Sequence, residues 1–223
     1  GAIVHYSATP ETDIPVKPEG LLLVDSGGQY MGGTTDITRT IALGPLTKEE
    51  KQSFNIVLES MLALLTFRFP KGCAGFNLDA IARAPFWSRG MDYNHGTGHG
   101  VGYMLSVHEG PNGIRWQRRV KSEDAAFAPG MITSDEPGIY IEGKYGVRHE
   151  NLTECVETEP GSRYLEFRPI TFAPIDLDAI DEETLTEATR RQLNAYHKEV
   201  YAKLAPHMGE EELVWLTEYT REI

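Results

Sequence analysis

The period of the hydrophobic positions changes several times along the chain, and each change marks an element. Leu21-Leu22-Leu23-Val24 is a continuous apolar run that meets a carboxylate at Asp25. After Ser26-Gly27-Gly28 and Gly32-Gly33, the β-branched stretch Thr34-Thr35-Asp36-Ile37-Thr38-Arg39-Thr40-Ile41 resumes. This predicts a β-hairpin whose glycines supply the turn and whose first strand Asp25 closes. Thr47-Lys48-Glu49-Glu50 has capping-box spacing, and Phe54, Leu58, Met61 and Leu65 follow at helical intervals. An amphipathic helix is therefore predicted to run to about residue 69, where Pro70 stops it. A shorter helix is predicted around residues 78–86, ended or kinked by Pro85.

Residues 130–136 and 147–156 read as two strands, joined through Pro137-Gly138 and a turn at Glu142-Gly143-Lys144. Period two sets Arg148 and Glu150 on one face of the second strand and His149, packed or exposed, on the other. Residues 2–6 read as a short extended piece, and residues 110–124 as a polar loop around Trp116. From Thr184 the pattern turns helical, with Thr184 and Glu187 at capping-box spacing and Leu185, Leu193, Tyr196, Val200 and Leu204 as the apolar stripe. A last helix follows Gly209, its Leu213-Val214-Trp215-Leu216 cluster available to the domain or to a second subunit. His197 and His207 are predicted to lie at the surface. The fold class is α+β.

Composition narrows the function. With 33 acidic against 21 basic side chains in 223 residues, the net charge of -12 repels phosphate backbones and argues against nucleic-acid binding. No apolar run approaches membrane-spanning length, so no membrane partner is expected. Cys73 and Cys155 have neither CxxC spacing nor a disulfide framework, which points to a reduced, cytoplasmic setting.

Candidate chemistry centres on Asn94-His95-Gly96-Thr97-Gly98-His99-Gly100-Val101-Gly102, followed by His108. Its glycines exclude a stable helix and suit main chain that passes close to a ligand. Both hairpins repeat one device, a carboxylate on each strand: Asp25 with Asp36, and Glu136 with Glu150. Like charges brought together in this way are costly unless a cation lies between them. Two divalent ions would balance four carboxylates, and His99 could complete the donor set. Oxygen ligands with one imidazole suit Mn²⁺, Co²⁺, Fe²⁺ or Zn²⁺. A metal pair about 3.5–4 Å apart activates water and polarises a carbonyl, which is the chemistry of amide or ester hydrolysis.

Six ordered motifs carry a family resemblance. They are Val24-Asp25-Ser26-Gly27, Thr34-Thr35-Asp36-Ile37-Thr38-Arg39-Thr40, His95-Gly96-Thr97-Gly98-His99-Gly100-Val101-Gly102, Val107-His108-Glu109-Gly110-Pro111, Asp135-Glu136-Pro137-Gly138 and Arg148-His149-Glu150-Asn151. Together they resemble the Xaa-Pro aminopeptidases, the aminopeptidase P branch of the pita-bread metallopeptidases. The resemblance implies a curved antiparallel sheet with helices on its outer face, built as pseudo-twofold halves. It implies a catalytic domain over residues 1–175, lacking its first elements, and a helical extension over 176–223 that packs on the domain and dimerises, as in the large cytosolic form. The missing N-terminal segment or domains of the same protein would then be a partner.

The resemblance also assigns roles. Two divalent ions, usually Mn²⁺, would be held by Asp25, Asp36, His99, Glu136 and Glu150, with Asp36 and Glu150 bridging and Glu136 serving as general base. His108 would steady the scissile peptide's tetrahedral intermediate, and His5 and His95 would line the proline side. Arg148 and Tyr140 would support the Asp25 side of a proton relay. The substrate implied is a peptide with proline second, cut after its first residue. A prolidase, which shares the five ligands but takes Xaa-Pro dipeptides, is the main alternative; methionine aminopeptidase fits the motifs less closely. A catalytically inactive peptide-binding homologue would have lost ligands that are all present here.

Overall fold

The computed structural model describes residues 2–117 and 125–223. Strands β1 (Leu21–Tyr30) and β2 (Gly33–Ala42) form the expected hairpin, with Asp25 opposite Thr38 and Gly27 opposite Asp36. Its turn is not at Gly27-Gly28. The first strand continues through both glycines to Tyr30, so Asp25 lies in mid-strand. A Cβ on Gly27 would stand 2.5 Å from the Thr35 carbonyl oxygen, so close strand pairing, not turn geometry, requires glycine there.

Helix α1 (Lys48–Leu65) begins as predicted. Thr47 accepts from the Glu50 N–H (3.3 Å) and the Glu50 carboxylate accepts from the Thr47 N–H (2.7 Å), which satisfies donors that a helix start leaves without partners. The helix ends at Leu65, short of the expected residue 69, because Thr66 turns its hydroxyl back onto the Leu62 carbonyl and Phe69–Pro70 pairs as a short strand, β3. Far more of α1 is buried than one amphipathic face, since Ile56, Val57, Leu62 and Leu64 join the predicted stripe in the core. The C-terminal region covers the remainder: Ile175, Leu177, Ile180 and Leu193 belong to the same apolar cluster. Burying each such side chain contributes about 1.5–3 kcal/mol. Helix α2 (Gly75–Trp87) starts earlier than predicted, and Pro85 falls in its last turn.

After α2 come β4 (Gly98–His99) and β5 (Gly113–Ile114), which pair with each other, so the polar stretch after residue 110 is not wholly loop. Its positions 118–124 lie outside the described residues. The next four strands are β6 (Ile132–Asp135), β7 (Gly138–Ile141), β8 (Tyr145–Arg148) and β9 (Asn151–Glu157), followed by β10 (Tyr164–Pro169). Strand β6 pairs with β9 and β7 with β8 in one continuous register, as though a single hairpin had been interrupted. The interruption sets Glu136 opposite Glu150 and Pro137 opposite His149. Proline cannot donate to the ladder, which accounts for the break. The larger sheet has the antiparallel order β3-β10-β9-β6.

The tail contains a 3-10 turn (Leu177–Ala179) and helices α3 (Glu187–Leu204) and α4 (Glu210–Tyr219). Thr186, not Thr184, caps α3 by accepting from the Thr189 N–H. His207 is exposed as expected, but His197 is not. It is fully buried, accepts the Ile175 N–H at Nε2 (3.0 Å), and burial first lowers its pKa to about 4. In α4, Leu216 points into the core while Val214 and Trp215 remain exposed. Residues 2–6 form bends and turns instead of an extended piece.

Candidate metal centre

The face of β2 that carries Asp36, Thr38 and Thr40 is the floor of the site, and all three side chains are buried. It is stitched to the segment around the hairpin break. Thr40 accepts the Arg148 N–H (3.1 Å) and donates to the Arg148 carbonyl (3.0 Å), while the Glu150 N–H donates to the Thr38 carbonyl (3.0 Å). From the other side, the Glu136 N–H donates to the Thr97 carbonyl (2.8 Å), which brings the glycine-histidine stretch alongside.

These links gather Asp36, His99 and Glu150 so that one donor atom from each lies within 4.8 Å of the others. Among the described residues this is the group of that size and kind that could hold a metal ion. His99 Nε2 stands 3.5 Å from Asp36 Oδ2 and 3.2 Å from Glu136 Oε1. Burial first, and then neighbouring carboxylates, push the pKa of both Glu136 and Glu150 to about 8. Asp135 beside them is buried with neither oxygen hydrogen-bonded among the described residues, and burial holds its pKa well above the usual range. Burial lowers the pKa of His99, yet hydrogen bonding to Asp36 and the charges around it carry the net shift upward. Carboxyl and histidine pKa values all raised together mark an excess of negative potential, which a divalent cation would relieve, and the same side chains are donors that such an ion takes. The donor set fits such ions.

Asp25 stands slightly apart, and Arg148 engages it. Arg148 Nη2 donates to Asp25 Oδ2 (2.7 Å), Nη1 to the Tyr140 hydroxyl (2.9 Å) and Nε to the Thr38 hydroxyl (3.1 Å). Thr38 in turn donates to Glu150 Oε2 (2.7 Å). Tyr140 lies 3.0 Å from His95 Nε2, and His95 Nδ1 lies 2.7 Å from the Gly96 carbonyl, so the ring donates at Nδ1 and accepts from Tyr140. Burial foremost lowers the His95 pKa to about 4, which keeps this ring neutral.

His5, His95, His99, His108 and Glu136 share the wall of one cleft of about 610 Å³. His108 is exposed beside His99, with ring centroids 4.1 Å apart, and His5 lies 6.4 Å from His108. His149 points away from Glu150 into the core, edge-on to Phe54 at 4.3 Å. Gly96, Gly98 and Gly100 line the same cleft, as expected, and two of them also meet neighbouring main chain. A Cβ on Gly98 would lie 1.9 Å from the Ser134 carbonyl oxygen, and one on Gly100 would lie 2.1 Å from that of Glu109. Neighbouring main chain alone requires glycine at these two positions.

Sequence reasoning passed over the supports. Ser134 accepts the His99 N–H (2.9 Å) and donates to Glu136 Oε1 (3.1 Å), and period-two spacing from Glu136 is the signal that could have found it. Thr38 lies at the same two-residue spacing from Asp36, although its hydroxyl donates to Glu150. Under the loop, Arg83 of α2 pairs with Asp79 and donates to the carbonyls of Tyr93 and His95, each at 2.7 Å, while Thr97 donates to Asp79. The four-residue spacing of Asp79 and Arg83 on a helix was the available sign.

Residues 1–157 match the model of metallopeptidase family M24, and residues 163–223 match that of the C-terminal region of peptidase M24. The chain belongs to metallopeptidase family M24. A probable Xaa-Pro aminopeptidase P from Paracoccidioides brasiliensis is 42% identical over 100% of this chain and 37% of its own length. The crystal structure of X-prolyl aminopeptidase from Caenorhabditis elegans, described as a cytosolic enzyme with a di-nuclear active site, superposes with a TM-score of 0.91 at 35% identity, covering 100% of this chain and 37% of that one. A prolidase from Pyrococcus horikoshii matches less fully, with a TM-score of 0.63 at 29% identity, covering 79% of this chain and 46% of that one. The chain thus spans little more than a third of the aminopeptidase relatives it matches. It shares the pita-bread architecture of these M24 relatives, as its motifs imply.

Proposed function

We propose that this chain is the catalytic part of a metal-dependent Xaa-Pro aminopeptidase, which releases the first residue from peptides with proline second. The observation that carries the reading is the convergence of Asp36, His99 and Glu150 beside Glu136 on the wall of the cleft. Asp25, Asp36, His99, Glu136 and Glu150 would hold two divalent ions, with Mn²⁺ the proposed metal. Such ions supply an activated water and a polarised carbonyl.

The chain's own residues do the rest. Glu136, steadied by the Ser134 hydroxyl, takes the proton of the attacking water and returns it to the departing proline nitrogen. His108, exposed at the cleft beside His99, donates to the scissile carbonyl oxygen as charge develops there. His5 and the ring of His95 flank the proline side. Arg148 donates to Asp25 and to the Tyr140 hydroxyl, and Tyr140 meets His95, so Asp25, Tyr140 and His95 are held in one hydrogen-bonded chain. The exposed Val214 and Trp215 of α4 support a homodimer through the 176–223 extension, and a cytoplasmic location is proposed by likeness to the Caenorhabditis elegans enzyme described as cytosolic.

The test is release of the first residue from an Xaa-Pro-Xaa peptide against cleavage of an Xaa-Pro dipeptide, with Mn²⁺ added to metal-free protein. Preference for the longer peptide, with metal bound, is the expected outcome, and preference for the dipeptide would make the protein a prolidase. Asp36→Ala and Glu150→Ala should abolish metal uptake and turnover together, and a fully active Asp36→Ala protein would sink the metal assignment.

A further inference from the structure

Among the described residues, Arg39 on β2 is held entirely by neutral acceptors. Its Nε donates to the Pro174 carbonyl (3.0 Å). Nη1 donates to the carbonyls of Thr38 (2.9 Å) and Glu150 (2.7 Å). Nη2 reaches Asn151 Oδ1 (2.8 Å), the Ala173 carbonyl (2.9 Å) and the Tyr196 hydroxyl (2.9 Å). These acceptors come from both sides of a seam. Thr38, Glu150 and Asn151 lie in the region that matches the metallopeptidase model, whereas Ala173, Pro174 and Tyr196 lie in the region that matches its C-terminal companion. Tyr196, on α3, is itself buried, and its hydroxyl also meets Asn151 Oδ1 (3.2 Å) and the Thr171 carbonyl (3.0 Å).

The consequence falls on Glu150. Its N–H donates to the Thr38 carbonyl, its carbonyl accepts from Arg39, and its carboxylate accepts from the Thr38 hydroxyl. A residue fixed at both main-chain groups can present its side chain from one place only, and a carboxylate that faces a metal loses affinity when its supports slacken. A guanidinium has five N–H donors in a rigid fork, which a lysine ammonium cannot reproduce.

We propose that Arg39 is a positioning residue for Glu150 and that Tyr196 completes it, so that helix α3 of the C-terminal region sets the geometry of a carboxylate in the metal centre. This rests on the reading of Glu150 as a metal ligand. A merely structural Arg39 and Tyr196 would lower stability without changing the affinity of the molecules that remain folded.

The experiment uses the full chain, stripped of metal and titrated with Mn²⁺ by calorimetry at temperatures where circular dichroism shows each variant folded. Arg39→Lys should weaken Mn²⁺ binding by roughly 10- to 100-fold, and Tyr196→Phe should weaken it in the same direction by about 10-fold, the lower end of that range. In both, the amides of residues 149–152 should exchange faster in the metal-free protein, and kcat should fall while KM for the peptide stays unchanged. Tyr201→Phe, elsewhere on α3, should match wild type. If Arg39→Lys does not fold, Tyr196→Phe, which removes one oxygen, still decides the matter. Wild-type Mn²⁺ affinity in the folded variants overturns the positioning role and leaves the metal reading standing. A wild-type chain that takes up no Mn²⁺ overturns both.

Discussion

Thr38 and Thr40 offer a matched pair of substitutions on one face of β2, two residues apart and both fully buried. Replacing either with valine conserves volume, so no cavity term arises and the effect is that of the hydroxyl alone. Among the described residues the Thr40 hydroxyl hydrogen-bonds only the main chain of Arg148. That of Thr38 donates to the Glu150 carboxylate and accepts from Arg148 Nε, so Thr38→Val leaves a buried carboxylate oxygen and a buried guanidinium N–H without this partner. An unsatisfied buried group costs about 1–3 kcal/mol, so both variants should unfold at lower urea and stability alone does not separate them. Metal affinity does. A hydrogen bond to a charged group contributes about 1.5–3 kcal/mol, which at about 1.4 kcal/mol per tenfold corresponds to a Mn²⁺ affinity weakened by roughly 10- to 100-fold in Thr38→Val. Thr40→Val should bind Mn²⁺ as wild type does. The assay is Mn²⁺ titration of metal-free protein beside urea unfolding of each variant. Equal affinities in the two would refute the idea that the Thr38 hydroxyl orients a metal-facing carboxylate.

Two further outcomes follow from burial around the site. Glu136 and Glu150 have folded-state pKa values of about 8, raised from 4.5 first by burial, so the unfolded chain gives up these protons earlier on a rising pH scale. The metal-free protein should therefore lose stability between about pH 4.5 and 8, and the stabilisation gained from Mn²⁺ should grow over the same window; a pH-independent gain in melting temperature would contradict this. His149 is buried with neither ring nitrogen hydrogen-bonded among the described residues, and burial holds it neutral. His149→Leu should keep or raise the urea midpoint and retain turnover, because it removes polar atoms without partners; a loss above about 2 kcal/mol would show that the ring has a partner.

Much of the frame was legible because local chemistry and tertiary structure agree there. The capping box at Thr47 and Glu50 starts α1 where the sequence places it, and period two in residues 147–156 separates His149 from Arg148 and Glu150. What was not legible depended on contacts from distant chain. Gly27 resembles turn chemistry until Thr35 is seen packed against it, and Gly98 and Gly100 do line the cleft, but the close main chain of Ser134 and Glu109 behind them could not be foreseen. His197 looks like a surface residue on a polar helix, yet the 175 segment covers it. The breadth of the buried face of α1 was hidden for the same reason, since the C-terminal region that covers it lies more than a hundred residues along the chain.

The break in the second hairpin shows how the fold accommodates the site. In an unbroken antiparallel ladder, residues in the register of Glu136 and Glu150 would be a direct cross-strand pair, and like charges so placed are destabilising. Pro137 interrupts the ladder at that point, and each carboxylate is held by its own hydroxyl, Ser134 for one and Thr38 for the other. Repulsion is thereby confined to two side chains on a backbone anchored by β6 with β9 and β7 with β8. With pKa values near 8, protons take the place of a cation at neutral pH, so the metal-free chain can fold before it is loaded and metal uptake must release protons. Proton release on Mn²⁺ binding, read as a dependence of the binding enthalpy on the ionisation enthalpy of the buffer, is the direct sign of that exchange, and its absence at pH 7 would mean that the carboxylates are already ionised.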